Sequence, residues 1–253
     1  MLLEKMLQSQ GFGSRKHCQG LVKNSAVSVA GTVVTDPKMK LNLEDLLYTV
    51  HGEEYRYREK VYIALHKPKG YECSHQATHH LSVFELFDPL LLARDLQSVG
   101  RLDQDTSGLL LLTDDGQFLQ ALTHPKKHVP KVYVVHTADA LKAEDLDALR
   151  QGVELRNENG VFAATDVTQL SSHSLHMTVH QGIYHQVKRM LAACGHKVVQ
   201  LHRQQMGQLG LTLSDQAHQQ QDTQCIALAE GEWCYLDATQ IAAARQASEQ
   251  SAL

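Results

Sequence analysis

The sequence predicts an α+β protein with a small, basic amino-terminal module and a larger body built on a mainly antiparallel sheet. After residue 60, most predicted elements are strands, and a few helices are predicted between them, which is typical of this class. Charge separates the two parts. Residues 1–40 carry six Lys or Arg and two Asp or Glu, whereas residues 61–253 carry fifteen basic and twenty-one acidic residues.

The composition is that of an ordinary soluble globular protein. With 253 residues and 43% hydrophobic content, the chain can bury a core without disulfides or metals. Its five cysteines form no CxxC pair, which favours reduced thiols and a cytoplasmic location. No stretch approaches the ~18 apolar residues of a membrane span. The net charge of -4 alone argues against a nucleic-acid protein, so only the basic amino end is predicted to face a polyanion.

The amino end is predicted to form two short helices and a hairpin. Apolar residues recur at helical spacing within residues 1–23, Gly11 and Gly13 interrupt them, and Ser14 is a suitable N-cap for the second helix. Valines alternate around Ala30-Gly31 as in a small hairpin. Residues 51–60 are polar and predicted to be a linker. The predicted parts of the chain are residues 1–59, the amino-terminal module with its linker; residues 60–236, the body; and residues 237–253, a helical tail.

The body contains regular elements separated by turn signals. Apolar alternation predicts strands at 61–65, 109–112, 131–135, 153–156, 161–168 and 173–180. Helical spacing predicts helices beginning near Gln117, at 139–151 and within 181–195, where Gly195 is the expected stop. The Gln-rich stretch 214–226 is expected to be an exposed loop. Asp237 is expected to cap a surface helix.

The segment RLDQDTSG, residues 101–108, is the strongest chemical signal in the chain. It is a polar loop carrying Arg101, Asp103 and Asp105 that leads directly into an apolar strand. From the residues alone, Asp103 is a nucleophile, a metal ligand or the cap of its own turn. No metal site is predicted, because the histidine pairs of the chain lack a nearby carboxylate or thiol at a zinc spacing.

Four ordered segments resemble the pseudouridine synthases, specifically the branch that modifies ribosomal RNA and carries an S4-type domain. They are HKPKGYECS (66–74), GRLDQDTSGLLLLT (100–113), KVYVV (131–135) and GIYHQVKRM (182–190). The amino end is similar to the S4-type RNA-binding domain, although Leu2 stands where that domain usually has Arg. Its matching residues are Leu3, Lys5, Ser14, Arg15, Val27, Val29 and Gly31. The resemblance implies an S4-like domain followed by a pseudouridine synthase catalytic domain.

The resemblance also implies roles for three catalytic residues. Asp103 is expected to be the catalytic carboxylate, and Lys188 is expected to pair with it and favour its charged form. Tyr133 is expected to stack on the target uracil and to take part in moving a proton from its C5. The resemblance implies no cofactor and no metal.

Arginines and lysines are expected to bind the RNA. Arg101 is expected to fill the space left by the flipped uridine or to hold its phosphate. Further RNA contacts are expected from Arg189 and Lys67 in the body, and from Arg15, Lys16 and Lys23 in the amino-terminal module.

Within this branch, the sequence most resembles the small-subunit enzyme, so the expected substrate is a uridine of 16S rRNA. The expected partner is 16S rRNA or an assembling small ribosomal subunit. The protein is expected to be a monomer and not to bind a membrane. One alternative is a 23S rRNA synthase of the same branch, although those commonly have Arg at position 188. A second is a non-catalytic RNA-binding assembly factor, against which the Asp103, Tyr133 and Lys188 set argues.

Overall fold

The computed structural model describes residues 1–212 and 224–246, and the chain divides into two compact units. The first comprises Met1–Val61 and Phe84–Gln97, and the second comprises Tyr62–Val83 and the chain from Ser98 onward. The helices are α1 (Leu3–Ser9), α2 (Arg15–Lys23), α3 (Pro89–Leu92), α4 (Gly116–Thr123), α5 (Ala143–Gln151), α6 (Gln186–Ala193) and α7 (Ala238–Arg245). The strands are β1 (Val27–Val29), β2 (Thr32–Val33), β3 (Leu47–Val50), β4 (Glu53–Arg56), β5 (Tyr62–Lys67), β6 (Tyr71–Glu72), β7 (Leu81–Ser82), β8 (Gln97–Ser98), β9 (Thr106–Thr113), β10 (Lys131–Thr137), β11 (Val153–Glu154), β12 (Val161–Phe162), β13 (Thr165–Ser171), β14 (Ser174–Val179), β15 (Val198–Met206), β16 (Leu209–Thr212), β17 (Cys225–Ala227) and β18 (Trp233–Tyr235).

In the first unit, α1 and α2 pack together beside a sheet of order β2-β1-β3-β4. The predicted helices and hairpin are confirmed, and Ser14 caps α2 by accepting a hydrogen bond from the His17 N–H at 3.3 Å. The apolar faces of both helices and the sheet bury one core. Its members include Leu3, Met6, Leu7, Cys18, Val22, Val27 and Tyr48.

Residues 51–60 are not the linker that the sequence predicted. Glu53–Arg56 forms β4 and pairs antiparallel with Leu47–Val50. β4 is the edge of its sheet, and its side chains other than Tyr55 are exposed, so the sequence of this strand has no apolar alternation. Tyr55 packs edge-on against Phe12, with ring centroids 5.1 Å apart.

The segment 84–97 completes the first unit, although it is distant from it in sequence. The Arg94 guanidinium donates to Gln10 Oε1 at 3.0 Å and to the Arg58 carbonyl at 2.9 Å. A Cβ added at Gly11 would lie 2.2 Å from the Leu90 carbonyl oxygen, so only glycine permits this close approach.

The second unit is built on a sheet of order β13-β14-β10-β15-β9-β5-β18, to which β16 and β17 add beside β15. Along this order and through β16 and β17, the pairings are antiparallel apart from β9 with β15 and β16 with β17. All eight residues of β9 are buried, and α4 and α7 pack on the sheet. The predicted α+β class with a mainly antiparallel sheet is confirmed.

Most predicted boundaries of the second unit differ from the observed ones by a few residues. The helix after Asp237 lies at the surface as predicted, and one of its faces packs on the core through the buried Ala243 and Ala244. The expected loop 214–226 lies largely outside the described residues, and its end belongs to strand Cys225–Ala227. Residues 247–253 of the expected tail also lie outside the description. Among the helices that the structure describes, none is both long and apolar enough to span a membrane.

Candidate active site

Asp103 lies on the loop that precedes β9, and a buried lysine holds this loop. Lys67 has no exposed surface, and its Nζ donates to the carbonyl oxygens of Pro68 at 2.9 Å and Thr106 at 2.8 Å. Burial lowers the Lys67 pKa to about 8. From this position the ammonium cannot reach an RNA phosphate, so we assign Lys67 to holding the Asp103 loop and not to the expected RNA contact.

The structure shows why the RLDQDTSG segment ends in glycine. Gly108 has a φ of +113°, and a Cβ there would lie 2.3 Å from the Arg203 carbonyl oxygen. It pairs with Arg203 in the parallel contact between β9 and β15. Glycine therefore allows the two strands to approach and places Arg203 beside the strand that follows Asp103.

Lys188 bridges two carboxylates of the loop. Its Nζ lies 2.8 Å from Asp103 Oδ2 and 2.6 Å from Asp105 Oδ1. Burial lowers the Lys188 pKa, but the hydrogen bonds to Asp103 and Asp105 outweigh burial, so that the pKa is raised above its ordinary value. Burial raises the pKa of Asp105, and the Lys188 ammonium outweighs it and lowers that pKa. The structure thus brings Lys188 and Asp103 together as the sequence suggested.

His185 is a neighbour of Asp103 that sequence reasoning missed. Its Nε2 lies 3.2 Å from Asp103 Oδ1, so the two carboxylate oxygens face different side chains. His185 precedes α6 with φ 51° and ψ 31°, a left-handed conformation that costs a non-glycine residue about 1–2 kcal/mol. This conformation directs His185 toward the carboxylate while α6 presents Lys188 from its first turn. Nothing in the residue pattern signals a left-handed histidine.

Tyr133 lies on β10 and lines the same pocket as Asp103 and Lys188. Its side chain is buried, with 8% of the residue exposed. The pocket has a volume of about 740 Å³, which is within the range of small-ligand sites and admits a nucleoside. Its other lining residues include Cys73, Arg101, Lys131, His180, Tyr184, His185, Arg203 and Met206. Within residues 1–212 and 224–246, no three His, Cys, Asp or Glu side chains form a group that could hold a metal ion.

The two predicted RNA contacts near the pocket differ in accessibility. Arg101 is exposed and lines the pocket two residues before Asp103. Arg189 is instead paired with Glu158 at 3.0 Å and donates to the carbonyl oxygens of Tyr184 and Arg156. Its guanidinium therefore joins α6 to the segment between β11 and β12, and Arg101 is the better candidate for contact with RNA.

The three predicted RNA contacts of the first unit lie on α2. Arg15 pairs with Glu4, whose side chain is buried, while Lys16 and Lys23 are exposed. A hydrogen bond from Gln19 and the charge and hydrogen bond of Arg15 lower the Glu4 pKa. Arg15 therefore has an internal partner that the sequence did not reveal, and Lys16 and Lys23 carry the accessible charge.

Comparison with known proteins agrees with this arrangement. The RNA pseudouridylate synthase family matches residues 61–193, and the S4 domain matches residues 1–47. The chain belongs to the RNA pseudouridylate synthase family. The synthase thus contains Asp103, Tyr133 and Lys188 inside the matched region, whereas Arg203 lies beyond it.

The synthase also resembles individual relatives over most of its length. It is 37% identical to the ribosomal small subunit pseudouridine synthase A of Pasteurella multocida, over 96% of this chain and 98% of the relative. It is 35% identical to the protein of the same name from Escherichia coli (strain K12), over 84% and 91%. A crystal structure of a pseudouridylate synthase, 33% identical, superimposes with a TM-score of 0.64 and covers 96% of this chain and 99% of that one.

Proposed function

We propose that the synthase isomerises one uridine of 16S rRNA to pseudouridine, with Asp103 as its catalytic carboxylate. The observation that carries this proposal is the placement of Asp103. Its side chain is 27% exposed in a nucleoside-sized pocket, held between Lys188 and His185 and accompanied by Tyr133. A carboxylate that is positioned in this way and still reachable can act on a ribose.

The isomerisation exchanges one glycosidic bond for another. Asp103 either attacks the anomeric carbon C1′, so that a C1′–O bond replaces the C1′–N1 bond, or initiates removal of a ribose proton as the C1′–N1 bond breaks. On both routes the electron pair of that bond leaves with the base. The uracil then rotates and its C5 bonds to C1′, while the C1′–O bond to Asp103 breaks or the ribose proton is returned. C5 finally loses its proton and N1 gains one. Help from Asp103 divides a difficult exchange into easier steps.

Lys188 and Tyr133 are proposed to assist this sequence at different points. The Lys188 ammonium donates to Asp103 and keeps its carboxylate oriented before reaction. Tyr133 presents a buried ring in the pocket wall on which the uracil can stack, and its hydroxyl is proposed to move the C5 proton.

Access to the pocket requires the uridine to leave its stack in the RNA. Arg101 is exposed at the pocket and carries a planar guanidinium, which can occupy the vacated space or hold the phosphate of the flipped nucleotide. Exposed Lys16 and Lys23 on α2 supply charge for the RNA backbone in the S4 domain.

Two observations support 16S rRNA as the substrate. Relatives that match nearly the whole chain are named as small-subunit pseudouridine synthases. Position 188 is Lys, whereas the large-subunit enzymes of the branch commonly have Arg. The proposed partner is therefore 16S rRNA, free or in an assembling small subunit, and a 23S uridine is the alternative.

The target is tested by mapping pseudouridines in both rRNAs of a strain that lacks the gene. We expect one pseudouridine to disappear from 16S rRNA, to return with the wild-type gene and to stay absent with the Asp103→Asn variant. Loss of a pseudouridine from 23S rRNA would show that the substrate is 23S rRNA and not 16S rRNA. An unchanged map of both rRNAs would overturn the proposed ribosomal target.

A further inference from the structure

Arg203 is a buried arginine in the pocket wall whose hydrogen-bonding capacity is only partly used. It is 2% exposed, and its Nε donates to the Leu109 carbonyl at 2.8 Å. Its Nη2 is buried and has no hydrogen-bond partner among the residues that the structure describes. Buried charged donors normally have partners, so an unpaired one that lines a pocket points to a ligand acceptor.

The strand register places Arg203 beside Tyr133. The two residues are directly paired in the antiparallel contact between β10 and β15, and residues opposed in this way project to the same face of a sheet. Both line the pocket. A base stacked against Tyr133 therefore lies within the neighbourhood of the Arg203 guanidinium.

A second cation strengthens the positive potential of this wall. Lys131 lies two residues before Tyr133, which places it on the same face of β10, and it also lines the pocket. Its Nζ donates to the Val129 carbonyl at 2.8 Å. Burial, and then the charge of Arg203, lower the Lys131 pKa to about 8. By contrast, Asp103 and Asp105 are paired with Lys188.

We propose that Arg203 is a further catalytic residue, which donates a hydrogen bond through Nη2 to a carbonyl oxygen of the detached uracil. This inference rests on the proposed active site around Asp103. When the C1′–N1 bond breaks, the electron pair leaves with the base, and the negative charge spreads from N1 to the O2 and O4 carbonyl oxygens. A buried cationic donor in place before reaction stabilises such developing charge effectively.

A phosphate of the RNA is the other anion that this wall could attract. However, a phosphodiester enters a pocket flanked by two riboses, whereas Arg203 is almost fully buried next to the stacking ring. A flat base fits that position better. The observations therefore favour the uracil, and phosphate binding becomes an outcome of the test.

The test compares Arg203→Gln with wild type on two RNAs that differ in one atom. One carries uridine at the target and the other 5-fluorouridine, whose fluorine withdraws electron density and stabilises the departing base without help. Disappearance of the starting nucleoside is followed under single-turnover conditions. We expect Arg203→Gln to slow the uridine reaction by about 100-fold and the fluorinated one by less than about 10-fold.

The ratio of the two rates is measured on one preparation and does not depend on how much of it is folded. Arg203→Lys, which keeps the charge, serves as a second variant and should give an intermediate ratio. The matched control is Arg150→Gln, since Arg150 donates to the Val167 carbonyl away from the pocket. Its rates should equal those of wild type.

Equal losses on both RNAs, or no loss on either, would overturn the role of Arg203. Weaker RNA binding with an unchanged rate ratio would assign it to phosphate instead. If the proposed catalytic role of Asp103 is itself wrong, the result is different. An Asp103→Asn variant would then retain turnover, whatever the ratio of the uridine and 5-fluorouridine rates in the Arg203 variants.

Discussion

Lys188 Nζ lies 2.8 Å from Asp103 Oδ2, and the same ammonium lies 2.6 Å from Asp105 Oδ1. The two carboxylates differ in exposure: the Asp103 side chain is 27% exposed and that of Asp105 is 56% exposed. Because solvent weakens exposed ion pairs, the pair of Lys188 with the less exposed Asp103 is weakened less than its pair with Asp105. Lys188 is therefore expected to matter mainly through Asp103.

Replacing Lys188 with Met should lower the single-turnover rate on the order of 100-fold, because Asp103 loses its cationic partner. Lys188→Arg should retain part of the rate. Asp105→Asn serves as the control, since it removes the exposed partner of the same ammonium. A similar loss in Asp105→Asn and Lys188→Met would show that the Asp103 contact has no special role.

Arg101→Ala should slow modification of structured rRNA on the order of 100-fold, because unstacking a uridine costs a few kcal/mol. A short RNA with its target uridine already unpaired should lose much less. Arg101→Lys should rescue poorly, since an ammonium lacks the planar guanidinium. If Arg101 merely oriented Asp103, both substrates would lose equally. In the described part of the chain, the ion pairs of Asp103 are to Lys188 and His185, which argues against that role.

The two kinds of basic residue on α2 should respond differently to substitution. The double variant Lys16→Gln, Lys23→Gln should bind RNA with a shallower salt dependence, by roughly 0.7–0.9 in logarithmic slope for each lost phosphate contact, at unchanged melting temperature. Arg15→Gln should lower the melting temperature, because it removes a partner of buried Glu4. An unchanged salt slope in the double variant would show that α2 does not contact RNA.

His202 should make the protein less stable at mildly acidic pH. Burial, and then the nearby His66, lower the His202 pKa from 6.5 to about 4; Glu230 raises this pKa and Lys69 lowers it, both by smaller amounts. Its Nδ1 lies 3.0 Å from Ser107 Oγ. Between pH 6.5 and 4 the unfolded chain binds the extra proton and the folded protein does not, so stability falls as pH falls.

The expected loss across that window is roughly 1–3 kcal/mol, reduced from the full shift because His202 is only partly buried. Urea unfolding of wild type and His202→Gln at pH 7 and pH 4.5 measures it. The variant should lose less stability than wild type on acidification. Equal losses would show that His202 is not kept neutral by the fold.

The sequence predicted the parts of the fold that local patterns encode. The sequence identifies Ser14 and Asp237 as caps because both residue types can accept hydrogen bonds from nearby backbone N–H groups, and in the structure both do so. It does not reveal strand β4 or the position of the segment 84–97. An edge strand needs no apolar face, and the contact of Arg94 with Gln10 spans 84 residues, for which the chain has no local signal.

The same limit applies to the site. The resemblance implies that Lys188 pairs with Asp103 and that Tyr133 stacks on the target uracil, and the structure places all three residues at one pocket. The burial of Lys67, the pairing of Arg15 with Glu4 and the position of His185 depend on tertiary contacts. The sequence alone does not distinguish a lysine or arginine that binds an RNA phosphate from one that donates to a carbonyl inside the protein.

If Asp103 carries out the chemistry, single-turnover release of tritium from [5-³H]uridine-labelled 16S rRNA depends on its carboxylate. Asp103→Asn keeps the side-chain shape, so its melting temperature and RNA affinity should stay close to those of wild type. We expect tritium release by this variant to fall by at least about 1,000-fold. Release by Asp103→Asn within about 10-fold of the wild-type rate would contradict this expectation.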